Sequence, residues 1–265
     1  MSNATKYALV TGATSGIGKE LAKLFAKDQY NLIIVGRDQQ QLDATAAELK
    51  QNGIDVITMV KDLFNRDEVF SLCDEVKSTG IQVDVLVNDA GQGVYGLFQD
   101  NQLDRELRII DLNIAALTIL TKHFLKEMVS RNEGKILNVA SIASTAPGPW
   151  QAVYHGTKAY VLSLTEAIRE EVKDSEITIT ALLPGATDTD FFNKAGMQDS
   201  KIVQDKSALS NAANVAKDGY DALMAGTDKV VSGFKNKVQV AMGNVTPDST
   251  LAHMMGEQQK PVEHQ

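Results

Sequence analysis

Thr11-Gly12-Ala13-Thr14-Ser15-Gly16-Ile17-Gly18 stands between a short apolar run, Tyr7–Thr11, and a segment with apolar residues at Ile17, Leu21, Leu24 and Phe25. The run reads as a buried strand. The spacing i, i+4, i+7, i+8 puts the four apolar residues on one face of a helix. A strand–turn–helix unit with glycines in the turn suits a phosphate. Glycines let the backbone bend tightly and come close to a pyrophosphate, and the free N–H groups of the helix start face it. The spacing is G-x-x-x-G-x-G rather than G-x-G-x-x-G, so position between strand and helix carries the reading. Gly12, Thr14, Ser15, Gly16, Ile17 and Gly18 are the candidate contacts, and Gly18 also lets the helix pack close to its strand.

Outward from this unit the same rhythm repeats. Asn31–Val35, Val56–Val60, Val83–Asn88, Lys135–Ala140 and Ile177–Leu183 read as further strands, nearly all apolar, as strands covered on both faces must be. Between them lie helical stripes such as Leu42, Ala46, Leu49 and Val69, Leu72, Cys73, Val76. Alternation of this kind predicts an α/β fold: a doubly wound parallel sheet with helices on both faces. No linker divides the chain, and all five prolines lie beyond residue 146, so residues 1–233 read as a single domain. Residues 187–211 are polar and without a strong period, which suggests a substrate lid over about 187–213. Val215 to Ala225 reads as a helix and Lys229–Val231 as a short seventh strand. The tail, 234–265, is expected to be partly helical and then frayed.

The 265 residues are 43% apolar and 23% charged, with 26 basic against 34 acidic residues, a net charge of −8. A chain of this size buries a large core without disulfide or metal staples, and no metal site is expected. The acidic balance argues against a nucleic-acid surface. The single cysteine, Cys73, cannot form an internal disulfide, and the N-terminus shows no signal peptide, so a reducing cytoplasm is expected. No apolar run approaches the roughly 18 residues of a membrane span.

Of the six tyrosines, Tyr154 alone has a lysine four residues later, Lys158. On a helix the two share a face. A free phenol is only about 0.1% ionised at pH 7, and a cation within about 4–6 Å favours its anion by roughly 1–3 units. Such a pair makes a tyrosine a general acid/base near neutrality. Ser141 ends a predicted strand, where a hydroxyl points into the ligand crevice of such sheets and could bond a substrate carbonyl oxygen. Taken singly, these residues read as packing, a solvated cation and a cap. Their joint occurrence with the glycine turn favours chemistry.

Together these residues resemble the short-chain dehydrogenase/reductase family in its compact single-domain form. The matching features run from about Tyr7 to Gly226: Thr11–Gly18, Asp62, Asn88-Asp89-Ala90-Gly91, Asn113, Ser141, Tyr154, Lys158 and Pro184-Gly185. The resemblance implies a seven-stranded sheet in the order 3-2-1-4-5-6-7, a nicotinamide cofactor, and a homodimer or homotetramer. It implies that Tyr154 is the acid/base, that Lys158 holds the nicotinamide ribose and lowers the tyrosine pKa, that Ser141 orients the substrate oxygen, and that Asn113 completes a proton relay through water to Lys158. Asn88, Ala90 and Gly91 would run past the cofactor. Asp62 would bond the adenine with the Leu63 backbone beside it. Pro184 and Gly185 would face the nicotinamide, Thr187 would offer backbone to the carboxamide, and Thr189 a hydroxyl near the phosphates. Read from the residues alone, Asn113 is also compatible with a satisfied core amide, and Asp62 with a cap for the helix from Asn65. Asp89 departs from the family's usual asparagine; it puts an acid where an amide ties strands together, to be paired with a donor or shifted in pKa.

NADP(H) is expected over NAD(H). After the second strand the chain reads Val35-Gly36-Arg37-Asp38. A carboxylate there would bind ribose hydroxyls and repel a 2′-phosphate. Gly36 leaves space, Arg37 offers a planar fork for a phosphate, and Ser15 could add a hydroxyl. Asp38 is read as the cap of the next helix, with Gln41 three residues on. The expected partner is a small carbonyl or alcohol. Its wall is expected from Ile142 to Gln151, including Trp150, and from Phe191, Phe192 and Met197; these apolar residues equally suit packing of a lid. A non-catalytic nucleotide-binding regulator is the competing reading, but it has no use for the set Asn113, Ser141, Tyr154 and Lys158. Ile109, Ile110, Leu117, Leu120 and Phe124 cover more than one helical face, which points to a two-fold interface on helices around Leu103–Met128 and Tyr154–Val172.

Overall fold

The computed structural model describes residues 6–243 and 245–262. The expected domain and tail also include residues 1–5, 244 and 263–265, and the expected fraying falls on the last three; these lie outside the described residues.

The chain runs β1 (Tyr7–Thr11), α1 (Gly16–Lys27), β2 (Asn31–Gly36), α2 (Gln39–Leu49), β3 (Val56–Val60), α3 (Arg66–Ser78) and β4 (Val85–Asn88). It continues with α4 (Leu103–Ile110), α5 (Leu117–Arg131), β5 (Gly134–Val139), α6 (Ala152–Glu171) and β6 (Ile177–Leu183). Two short helices follow, α7 (Phe191–Ala195) and α8 (Lys201–Gln204), then α9 (Ala212–Met224), β7 (Lys229–Val231), α10 (Phe234–Gly243) and α11 (Asp248–Gln259). The strands pair in parallel in the order β3-β2-β1-β4-β5-β6-β7. This is the doubly wound sheet and strand order that the sequence and its resemblance imply.

Alternation along each strand builds two cores. Ala8, Val10, Leu32 and Ile34 face α1, α2 and α9, where Leu21, Phe25, Leu42 and Tyr220 pack. Leu9, Ile33, Val35 and Leu86 face the other layer with Val69, Leu72, Leu120 and Phe124. Period-two side chains meeting apolar helix faces on both sides explain why the strands are apolar throughout. Each fully buried Leu, Ile or Phe contributes about 1.5–3 kcal/mol through burial.

The broad apolar coverage around α4 and α5 has an explanation within the chain. Ile109, Leu117, Leu120 and Phe124 are almost wholly enclosed within the single chain. Their broad apolar coverage serves α4, α5 and the π-helical turn Asp111–Ala116 between them, all packed inside the domain. The large exposed apolar side chains on α4, α5 and α6 are Leu103 and Leu107 on α4, Val129 on α5 and Tyr160 on α6.

The irregular stretch 187–211 contains α7 and α8, and its Phe192, Ala195 and Met197 form a small core of their own. The tail is helical and returns across the domain. Pro261 bridges to Ser200, the Val262 N–H donates to the Asp199 carbonyl at 2.8 Å, and the Tyr95 hydroxyl donates to the Gln259 carbonyl at 2.5 Å. No described helix is long and apolar enough to cross a membrane.

Candidate active site

The strand order reverses at β1, whose neighbours β2 and β4 lead to opposite sides. Such a switch point opens a crevice at the carboxyl ends of the strands. Here the crevice is a cleft of about 280 Å³.

One wall is the glycine turn. Gly12, Thr14, Ser15, Gly16 and Ile17 line it. Ser15 enters α1 with extended backbone and makes no side-chain cap, and the first turn carries no acidic residue. The amino end of α1 therefore faces the cleft with no acidic side chain of its own first turn on its positive dipole end. A Cβ on Gly18 would lie 2.6 Å from the Gly12 carbonyl oxygen, and one on Gly12, where φ is +71°, would lie 3.1 Å from the Ala90 nitrogen. Only glycine fits this cradle, and the cradle fits a pyrophosphate. Gly18 itself sits behind the lining, as its role in helix–strand packing requires. Thr189 closes over the turn, its Cγ2 3.0 Å from where a Gly16 Cβ would stand.

Arg37 and Leu63 also line the cleft. Asp38 accepts from the Gln41 N–H at 3.0 Å and caps α2, so its carboxylate is engaged as the sequence suggests. The Arg37 guanidinium lies 4.9 Å from the Phe64 ring centre, with Arg108 at 4.7 Å from the same ring. Asp62 does not line the cleft: its carboxylate accepts from the Phe64 N–H at 3.3 Å and lies 3.9 Å from Arg108, while Asn65 caps α3. Lys61 and Phe64 line the cleft instead.

Ala90 and Gly91 line the middle, but Asn88 lies behind it. Asn88 is buried and donates to Thr121 Oγ1 at 3.0 Å and Asn138 Oδ1 at 2.9 Å, joining β4 to β5 and α5. The strand tie expected at position 89 comes from Thr11, whose hydroxyl accepts from the Asp89 and Ala90 N–H groups at 3.1 Å and donates to the Val87 carbonyl. Asp89 is thereby released from that task. Desolvation pushes its carboxyl up to about 7, against the pull of Lys158 and of the Gly18 N–H.

The opposite wall carries Ser141, Tyr154 and Lys158, with Pro184, Gly185 and Thr187 beyond them. Ser141 begins the short 3-10 turn Ile142–Thr145 and its hydroxyl accepts from the Ala143 N–H at 3.1 Å. Lys158 is buried; its Nζ donates to the Val139 carbonyl at 2.7 Å and lies 5.9 Å from the centre of the Tyr154 ring. Burial pulls the ammonium down to about 8, opposed by Asp89. Burial pushes the Tyr154 phenol up to about 12; the neighbouring Ser141 hydroxyl favours the phenolate and Asp89 opposes it. Desolvation is the largest influence on the phenol, and the Lys158 ammonium is bonded to the Val139 carbonyl. Asn113 sits in the π-helical turn, enclosed, donating to the Gln92 carbonyl at 2.9 Å and Thr157 Oγ1 at 3.0 Å and accepting from the Gln92 N–H at 3.0 Å. It is a satisfied amide set behind Gly91, next to Lys158.

Beyond Tyr154, Ile142, Phe191, Phe192 and Met197 form an apolar end, as expected. Trp150 does not join them. It adopts φ +69° and stacks on Tyr95 at 5.8 Å, away from the lining. Sequence reasoning missed His155, Met255 and Gln259, which also line the cleft. The polar stripe Gln151, Tyr154, His155, Lys158, at i, i+3, i+4, i+7, was a signal for the first of these.

A phosphate cradle at the switch point, faced by a phenol and a hydroxyl, marks a nicotinamide-dependent oxidoreductase. The chain belongs to the short chain dehydrogenase family, whose model matches residues 6–200. It is 35% identical over 185 residues to the uncharacterized oxidoreductase YvrD of Bacillus subtilis (strain 168), covering 70% of each chain. It is 29% identical over 252 residues to the ketoacyl reductase HetN of Nostoc sp. (strain PCC 7120), covering 92% of this chain and 86% of HetN. A short-chain dehydrogenase from Sphingobium yanoikuyae, solved with NADPH, superposes with a TM-score of 0.81 at 27% identity over 91% of this chain and 94% of the other.

Proposed function

We propose that the protein is an NADP(H)-dependent carbonyl reductase in which Tyr154 gives the proton to the substrate oxygen. The carrying observation is Tyr154 itself, set across the cleft from the glycine cradle with Ser141 beside it and its phenol held protonated throughout the neutral range. A protonated phenol is the form that donates a proton to the substrate oxygen in ketone reduction.

A nicotinamide held in the cleft would supply the hydride that the carbonyl carbon takes up. The Tyr154 proton goes to the carbonyl oxygen and leaves a phenolate, which the neighbouring Ser141 hydroxyl stabilises and which solvent reprotonates. Lys158, one helical turn on, adds positive charge to that wall. Asn113 acts as a positioning residue by holding the Gln92 segment beside Lys158. Gly12, Thr14, Ser15, Gly16 and Ile17 would hold the pyrophosphate, with Gly18 behind them and Thr189 above. Leu63, Ala90 and Gly91 would flank the nucleoside, and Pro184, Gly185 and Thr187 the carboxamide.

Preference for NADP(H) rests on Arg37 at the cleft wall beside Phe64, and on Asp38 being occupied in capping α2. The exposed Leu103, Leu107 and Tyr160 support a homo-oligomer through α4 and α6. The single, buried Cys73 suits a reducing cytoplasm.

Tyr154→Phe tests the assignment. It keeps the ring and loses the proton, so turnover with a ketone panel should fall by roughly 10²–10⁴ while NADPH affinity stays within a few-fold. Full activity in a steady-state assay would remove Tyr154 from the role.

A further inference from the structure

Two glutamines line the cleft, and each has a buried amide atom without a partner. Gln151 and Gln259 are only 5% and 3% exposed, and Gln151 Nε2 and Gln259 Oε1 make no hydrogen bond. They come from different elements: Gln151 stands one turn before Tyr154 at the head of α6, and Gln259 is the last residue of α11, held by the Tyr95 bond to its carbonyl.

The orientation of Gln259 follows from its neighbour. His155 Nδ1 lies 2.7 Å from the Ala146 carbonyl, which can only accept, so Nδ1 carries a proton. Burial lowers the His155 pKa and holds the ring neutral, leaving Nε2 bare. Nε2 lies 3.0 Å from the Gln259 amide nitrogen, which therefore donates to it. The chain Ala146–His155–Gln259 thus fixes Gln259 Oε1 as an acceptor. Gln151 Nε2 is a donor, next to Gly93 and the Phe191 ring.

A buried donor and a buried acceptor without partners are costly unless a ligand meets them. Around them Phe191, Phe192, Met197, Ile202 and Met255 are apolar. We infer that the substrate is an apolar ketone carrying a second, neutral polar group, a hydroxyl above all, which Gln151 and Gln259 recognise. A hydroxyl can donate to Oε1 and can accept from Nε2, so it suits either atom. A carboxylate could only accept, and would meet the Oε1 lone pairs. An ammonium could only donate, and would meet the Nε2 hydrogens. Either would be a buried charge whose opposite the glutamines do not supply.

The inference rests on the reductase reading for the ketone but not for the hydroxyl, and binding separates the two. The probes are 4-phenylbutan-2-one and its three ring-hydroxylated isomers, titrated calorimetrically into the full chain saturated with NADP⁺. At least one hydroxylated isomer should bind about tenfold more tightly than the parent, equivalent to about 1.4 kcal/mol. Gln151→Met and Gln259→Met, which keep length and lose the amide, should each bring that isomer and the parent to within about twofold. Circular dichroism confirms that both variants fold; should Gln259→Met not fold, Gln151→Met alone decides. Equal or weaker binding of all three isomers by the wild type, or a preference that survives in a folded variant, overturns the inference. A binding preference without NADPH oxidation on any probe would leave it standing and count against the reductase reading.

Discussion

Asp89→Asn isolates the consequence of placing an acid beside the phosphate cradle. A carboxyl ordinarily near 3.8 is pushed up to about 7 here. The unfolded chain ionises it from about pH 4 upward, whereas the folded chain resists ionisation until about pH 7. Its charge therefore costs nothing below about pH 4, an increasing amount between pH 4 and 7, and a constant maximum above. The difference of about 3 units corresponds to about 4 kcal/mol. Asp89 lies at the cleft wall and is not fully shut off from water, so about 2–4 kcal/mol is expected. Asparagine is isosteric, stays neutral and can still accept from Gly18 N–H. The variant should match the wild type near pH 4 and exceed it by about 2–4 kcal/mol at pH 8. Urea unfolding at pH 4, 5, 6, 7 and 8 measures this directly, with equal m-values confirming a shared denatured state. Parallel pH profiles for the two proteins would refute the reasoning. Because Asp89 also raises the Lys158 pKa, the variant should show an activity limb displaced to lower pH, which a purely structural change would not produce.

Arg37→Ala would remove the charge-assisted phosphate contact proposed for NADP(H). It should weaken NADPH binding by about 10- to 150-fold and leave NADH nearly unchanged, as read by fluorescence titration; a wild type that prefers NADH contradicts the assignment. The rate of ketone reduction in the wild type should decline as pH rises through about 8, where Lys158 loses its proton, and a stopped-flow pH profile that is flat to pH 9 would exclude that role. Light scattering at micromolar concentration should give at least twice 28.7 kDa, and Leu107→Asp should shift the protein toward that monomer mass.

The sheet was legible because it follows from local periodicity. Apolar runs alternating with helical stripes leave one layered arrangement able to bury both, and a glycine turn between β1 and α1 marks where its strand order reverses. The Asp38 cap was legible for the same reason, since Gln41 lies within its own helix turn. Residues whose role depends on distant partners were not. Asn88 and Asp62 sit within family motifs, yet Asn88 is drawn into a network with Thr121 and Asn138, and Asp62 turns to Phe64 and Arg108. The π-helical turn at Asn113 has no periodic signature in six residues. Tyr154 and Lys158 were found by spacing, but their protonation was not. Spacing says that a phenol and an ammonium share a face. Only the fold decides that water is excluded and that Lys158 reaches Val139, so that burial outweighs attraction.

The tail is the clearest division between the two kinds of knowledge. By composition, residues 234–265 are weakly amphipathic and polar at the end. Nothing local connects Gln259 to His155, which is 104 positions away. The sequence alone determined the layers, the switch point and the chemistry offered there, because those depend on neighbours within a turn or a strand. Tertiary structure decided the far wall of the cleft and the charge on its groups, because long-range packing sets which polar atoms lose water and which find partners.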